Sequence, residues 1–279
     1  SNSCVTLYPV TVTEPLAPLT LSMDSINVFC FGDTTGSIDL NVTGGTPAYS
    51  YVWNTGDTLQ DVDSLVTGTY QVVVTDTNQC VDSLSVFIDQ PLAPIALSAT
   101  QVDILCFGDA TGAVDLTVSG GTPASTGYVF DWNSGAFATE DLANIPFGPY
   151  AVLVTDSLLC SDTLSVLLTQ PDAPLDIDFT ILNVSCFGDS TGDVLTEISG
   201  GTLPYQWNWD LPIVDTTLFI DSLLTGDYVL NVIDSNNCVY QETATVTQPE
   251  APLTVTYDEV LPSCFEYSNG ELTLIPVGG

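Results

Sequence analysis

A chain of 279 residues with 35 Asp and Glu and no Lys, Arg or His carries a formal charge of −35. Without cations it cannot clamp phosphates, which excludes nucleic-acid binding and docking on an anionic membrane; without imidazole it cannot build Ser-His or Cys-His pairs or a His-ligated zinc site. At 45% hydrophobic it is too apolar for an acidic disordered tail, and no apolar run approaches the roughly 18 residues that suggest a membrane span.

The chain opens at Ser1 without a Met or a signal-peptide pattern and stops at Gly279 in mid-motif, which reads as an excerpt of a longer polypeptide. Residues 1–15 read as the tail of one repeat, ending in a Pro-x-Ala-Pro joint at 15–18. Alternation at Leu19, Leu21 and Met23 predicts a first strand, whose parity then slips to Ile26 and Val28. Such a slip predicts a bulge or a strand that passes from one sheet to the other. Next come Cys30-Phe31-Gly32-Asp33, a strand with Ile38, Leu40 and Val42 inward, and a Gly-Gly-Thr at 44–46. An aromatic strand (Tyr49, Tyr51, Trp53) follows, then a short one around Val62 and Leu65, and one through Tyr70, Val72 and Val74 that ends at Asp76. Cys80 opens the last strand, through Leu84, Val86 and Ile88, before the joint at 91–94.

The same order returns twice. Joints at 15–18, 91–94, 171–174 and 249–252 give periods of 76, 80 and 78 residues. The cysteine loop recurs at Cys106-Phe107-Gly108-Asp109 and Cys186-Phe187-Gly188-Asp189, with a divergent copy, Cys264-Phe265-Glu266-Tyr267. Repetition decides the fold class. Seven or so short antiparallel strands per period predict an all-β tandem array of immunoglobulin-like β-sandwich repeats, about 76–80 residues each. The expected divisions are a tail at 1–15, repeats at 16–91, 92–171 and 172–249, and the start of a further repeat at 250–279. Tyr70, Tyr150 and Tyr228, each opening the sixth strand, suit a tyrosine corner.

Taken in fixed order, the CFGD-x-TG, GGTP, aromatic-x-Trp, TG-x-Y-x-V-x-V-TD, Cys and QP-x-AP motifs resemble the SprB repeat. That family occurs in very large cell-surface adhesins of the Bacteroidetes, including gliding-motility adhesins exported by type IX secretion. The resemblance covers essentially the whole chain and implies a passive, extended, secreted array. Glu266-Tyr267 departs from the pattern, with Glu and Tyr where the other three copies have Gly and Asp.

Eight cysteines at two per period point to disulfides and an oxidising exterior. Pairing inside the repeat (Cys30–Cys80, Cys106–Cys160, Cys186–Cys238) is the default. Strand order argues against it, because the first Cys follows the first strand at one pole and the second opens the last strand at the other. Head-to-tail stacking offers Cys30–Cys160 and Cys106–Cys238. The constant 26-residue spacing offers Cys4–Cys30, Cys80–Cys106, Cys160–Cys186 and Cys238–Cys264. All three schemes stay open.

Asp33, Asp109 and Asp189 recur in glycine turns, and Asp76, Asp156 and Asp234 in another. These six are the candidate ligands for calcium, a hard cation that takes oxygen donors. Turn aspartates more often serve an Asx hydrogen bond, so the expected cofactor is none, with calcium as the exception. Asp-[Ser/Thr]-apolar triplets are similar to the O-glycosylation sequon of secreted Bacteroidetes proteins. They mark Ser25, Thr34, Thr58, Ser64, Ser83, Ser157, Thr163, Ser190, Thr216 and Ser222 as glycan candidates.

These features predict an extracellular structural segment: a semi-rigid stalk or fibre spacer of a surface adhesin or filamentous appendage, serving adhesion or gliding. Its partners are the neighbouring repeats of the same long chain, with lateral self-assembly into a fibre as a further option. No nucleic acid and no membrane insertion are expected. The alternative is a carbohydrate- or surface-binding module using the acidic loops or the aromatic strand. An enzyme is not expected: only paired-carboxylate chemistry remains available, and no insertion builds a cleft.

Overall fold

The computed structural model describes residues 8–210 and 217–279. Cys4 and Thr216, singled out above, lie outside them. The described residues form twenty β-strands and no helix. The chain divides into two compact units, Ser1–Thr100 with Asp115–Leu142 and Tyr150–Val166, and Gln101–Val114 with Ala143–Pro149 and Leu167–Gly279. That division crosses the expected 92–171 repeat, whereas every described three-stranded sheet takes its strands from between two consecutive joints.

In the first unit, β1 (Thr20–Ile26), β2 (Gly36–Thr43), β3 (Ser50–Trp53), β4 (Val62–Leu65), β5 (Gly68–Thr75) and β6 (Val81–Ile88) follow the predicted order. They make two three-stranded sheets, β1-β2-β4 and β3-β5-β6. Period-2 alternation buries one face of each: Ile38, Leu40, Val62 and Leu65 from one sheet share a core with Trp53, Tyr70, Val72, Val74 and Ile88 from the other. This is an immunoglobulin-like sandwich. It has six strands, not seven, because the residues past Ile26 form no separate strand before β2, which makes the strand of Tyr70 the fifth.

The next strands are β7 (Ala96–Val102), β8 (Gly112–Ser119), β9 (Val129–Trp132), β10 (Leu142–Ile145), β11 (Gly148–Thr155) and β12 (Ser161–Leu168), in sheets β7-β8-β10 and β9-β11-β12. In the second unit, β13 (Asp176–Leu182), β14 (Gly192–Ser199), β15 (Gln206–Trp209), β16 (Phe219–Leu223), β17 (Gly226–Ile233) and β18 (Val239–Val246) repeat the plan. Their sheets, β13-β14-β16 and β15-β17-β18, close on Val194, Trp209, Leu223, Leu230 and Val246. A hairpin of β19 (Thr254–Val260) and β20 (Glu271–Val277) ends the chain.

The parity slip is resolved as a passage between sheets and not as a bulge. The β1–β2 register runs unbroken from Thr20↔Thr43 to Ile26↔Ser37, and Ile26 is exposed. Beyond the strand, Val28 is buried and its N–H donates to Asp89 O at 2.9 Å, just past β6. Ile104 to Thr169 O and Val184 to Thr247 O repeat that bond at 2.9 Å each. Val102 and Leu182, the counterparts of Ile26, are exposed as well. The tyrosine corner is present: the Tyr70 hydroxyl donates to Val66 O at 3.0 Å and that of Tyr228 to Leu224 O at 2.9 Å.

Candidate functional site

The recurring chemistry gathers at the ends of the sandwiches. Cys30-Phe31-Gly32-Asp33 is a β-turn in which Asp33 N–H donates to Cys30 O at 3.1 Å. Its third residue, Gly32, sits at φ +81°, the conformation that a type II turn reserves for glycine. Gly108 and Gly188 occupy the same place at +82° and +81°. In the fourth copy Tyr267 N–H still reaches Cys264 O at 3.1 Å, with Glu266 at φ +65°. The divergent loop thus keeps the turn. Each of the three glycine turns is held from its own repeat's end: Gly32, Gly108 and Gly188 N–H donate to the side-chain oxygens of Gln90, Gln170 and Gln248 at 3.0, 3.0 and 2.9 Å. Those glutamines precede the joint prolines and open the QP-x-AP motif at three joints, where the sequence pattern alone assigned them no role.

The joint is fixed to the repeat that follows it. Gly45, Gly121 and Gly201 N–H donate to the carbonyls of Ala17, Ala93 and Ala173 at 3.0, 2.9 and 3.0 Å. The preceding glycine lets the chains approach. A Cβ on Gly44, Gly120 or Gly200 would lie 1.9, 1.9 or 1.7 Å from the carbonyl oxygen of Pro18, Pro94 or Pro174.

A buried aspartate ties this Gly-Gly-Thr loop to the second cysteine. Asp156 accepts from Thr122 N–H at 2.8 Å and from Leu158 and Cys160 N–H at 2.9 Å each. Asp76 does the same with Thr46, Asn78 and Cys80, and Asp234 with Thr202, Asn236 and Cys238. The Thr46 N–H, helped by those of Cys80 and Asn78, holds the Asp76 carboxyl below its ordinary range.

Two disulfides cross the joints, Cys30–Cys160 and Cys106–Cys238, both with Cα atoms 5.6 Å apart. The head-to-tail scheme is therefore the one the chain adopts. The within-repeat pairs Cys30–Cys80, Cys106–Cys160 and Cys186–Cys238 do not form, because the turn after the first strand meets the last-strand turn of the next repeat and not of its own. The 26-residue scheme fails too, since Cys30, Cys106, Cys160 and Cys238 are already bonded. Cys80, Cys186 and Cys264 are exposed free thiols, against the expectation that every cysteine is bridged.

Around Cys30–Cys160 a small cavity is lined by Phe31 and Asp33 on one side and by Pro91, Pro94 and Gly121 on the other. Phe107 and Asp109 face Pro174 and Leu175 beside Cys106–Cys238 in the same way. Asn236 adds a bond across that junction, its Nδ2 donating to Leu105 O at 2.9 Å.

Of the six aspartates named as cation ligands, Asp33 and Asp109 thus lie beside the disulfides and Asp189 in the third turn, while Asp76, Asp156 and Asp234 are occupied by peptide N–H donors. Among the described residues no three of His, Cys, Asp or Glu converge in a way that could hold a metal ion. The nine described glycan candidates (Ser25, Thr34, Thr58, Ser64, Ser83, Ser157, Thr163, Ser190 and Ser222) are all exposed. Trp53, Trp132 and Trp209 are buried, with their indole N–H groups donating to Leu59, Thr139 and Thr217 carbonyls. These three rings offer no stacking face to a sugar.

The SprB repeat family model matches residues 24–58, 98–137 and 179–211. Each match includes the first cysteine of a repeat and stops before the second. No curated protein matches the chain. Similar solved structures include the Dpr2 Ig1-Ig2 structure in complex with DIP-Theta Ig1-Ig3, at 11% identity and TM-score 0.31, covering 83% of this chain and 100% of that one. Extracellular domains 3-5 of Drosophila OTK align at 12% identity and TM-score 0.25, covering 72% and 86%. The N-terminal eight Ig domains of DSCAM align at 9% and 0.31, covering 94% and 52%. At scores this low the immunoglobulin-like assignment rests on strand order and core, not on these neighbours.

Proposed function

We propose that this chain of SprB repeats is a structural segment of a secreted surface adhesin or filament, a spacer whose work is to hold length under tension. The observation that carries the reading is Cys30–Cys160, which joins consecutive repeats covalently across the Pro-x-Ala-Pro joint. Disulfides of this kind persist outside the reducing cytosol. The staples also interlock: the loop from Cys30 to Cys160 and the loop from Cys106 to Cys238 share residues 106–160. A pull on the ends therefore passes through sulfur and bypasses much of the backbone. Uniform negative charge, with no cation to pair it, keeps such segments soluble and apart.

Force spectroscopy on the chain tests this. With the staples closed, unfolding should release far less contour than after reduction, the difference for the 130-residue span of one staple being about 450 Å at roughly 3.5 Å per residue. Equal contour lengths before and after reduction would count against a tension-bearing spacer.

A further inference from the structure

Among the described residues, two of the three joint-and-cysteine surfaces carry a bonded loop and one carries none. The covered surfaces consist of a joint, the glycine pair and the second cysteine: Pro91, Pro94, Gly121 and Cys160 under the Cys30 loop, and Pro174, Leu175 and Cys238 under the Cys106 loop. The same elements at the start of the first repeat, namely Pro15, Ala17, Pro18, Leu19, Gly45 and Cys80, form a groove that holds no loop of the described residues. Its cysteine is an exposed thiol. The framework that positions the cysteine is nonetheless complete: Asp76 grips Thr46 and Cys80 N–H at 2.8 Å each, and Gly45 N–H donates to Ala17 O at 3.0 Å. Asn78 stands where Asn236 stands in the third repeat, and Asn236 reaches across to the carbonyl of the residue before the incoming cysteine.

We propose that this groove is the docking site for the Cys-Phe-Gly-Asp turn of another copy of the repeat, locked by a disulfide to Cys80. The inference rests on the head-to-tail reading above. The lone thiol does not carry it; the two equivalent cysteines of this same chain do, because both are found bonded to such a turn. In forming the bond two thiols lose two protons and two electrons to an oxidant of the disulfide class, which is itself reduced to two thiols.

The test uses the full chain with Cys4→Ser and its two staples intact. The probe is a peptide of residues 27–35 carried as a mixed disulfide with glutathione. A protein thiolate attacks the peptide sulfur, a new S–S bond forms, and glutathione leaves as the thiol. Adducts are located by mass spectrometry. Cys80 should capture the peptide at least about tenfold faster than Cys186 or Cys264, the margin that a docking contribution near 1.4 kcal/mol gives. A peptide with Ser in place of Phe31 should lose that preference. Equal labelling of the three thiols, or an undiminished preference for the Ser peptide, would overturn the proposal. With Cys30–Cys160 still mapped in the same sample, the spacer reading would survive that failure.

Discussion

Asp156 and Cys160 are bonded to each other twice: the Cys160 N–H donates to the carboxylate at 2.9 Å, and the Asp156 N–H donates back to the Cys160 carbonyl at 2.9 Å. The same carboxylate takes Thr122 N–H, so one buried side chain sets the glycine loop, the joint resting on it and the sulfur that crosses to Cys30. Alignment of the staple is thus a property of the fold before any sulfur is oxidised.

Replacing Asp156 by Asn should therefore damage both stability and crosslinking. The amide group would turn a donor toward one of three N–H groups that need an acceptor. A loss of about 2 kcal/mol is expected for weakening charge-assisted bonds of this kind. Thermal unfolding checks the first effect, and the yield of Cys30–Cys160 after refolding checks the second.

The counterpart Asp76 predicts a pH signature. Its carboxyl is held below the ordinary value of 3.8 by N–H donors, Thr46 first. A depressed folded-state pKa stabilises fully above the unfolded value and loses that contribution as pH falls through the folded one. The Tm gap between the native chain and Asp76→Asn should stay constant down to about pH 5 and close below the unfolded value. A gap that widens in acid would contradict this account of Asp76.

Two glycines in the second repeat separate strain from collision. Gly108 and Gly120 both have left-handed φ values, +82° and +77°, but a Cβ on Gly108 meets nothing within 4 Å while one on Gly120 meets Pro94 O at 1.9 Å. Gly108→Ala should cost about 1–2 kcal/mol, the conformational term alone. Gly120→Ala should cost clearly more, because the joint must move. Paired denaturant titrations give the comparison.

Leu159 offers the opposite sign. It occupies φ +65° with 82% of its surface exposed, while Asn237 fills the same place in the third repeat. Leu159→Asn should raise stability by up to about 1 kcal/mol, since Asn tolerates the left-handed region better and little apolar burial is lost.

Period and alternation made the architecture legible, because both are direct consequences of stacking like units and of the two-residue repeat of a strand. Tyr70 and Trp53 took their expected places for that reason. The strand count was too high by one, since Val28 reaches Asp89 beside the other sheet by a single backbone bond and without a strand of its own. Ile26 misled because hydrophobicity alone does not tell the last exposed position of a strand from the first buried one beyond it. Cysteine spacing left three pairings open, and only the meeting of one repeat's first turn with the next repeat's last turn chose among them. Asp76, Asp156 and Asp234 read as candidate cation ligands because a carboxylate that binds calcium and one that binds peptide N–H groups use the same letter in the same kind of turn.

The staples carry the rest of the account, and a loop of 130 residues closed by one removes about 5 kcal/mol of unfolded-chain entropy at 25 °C. Disulfide mapping of the purified, unreduced chain is the most direct measurement. The chain has no Lys or Arg for trypsin, so the digest uses a protease that cuts at acidic residues. Peptides joined through Cys30 and Cys160, and through Cys106 and Cys238, are the predicted result. Peptides joining Cys30 to Cys80 and Cys106 to Cys160 would contradict it.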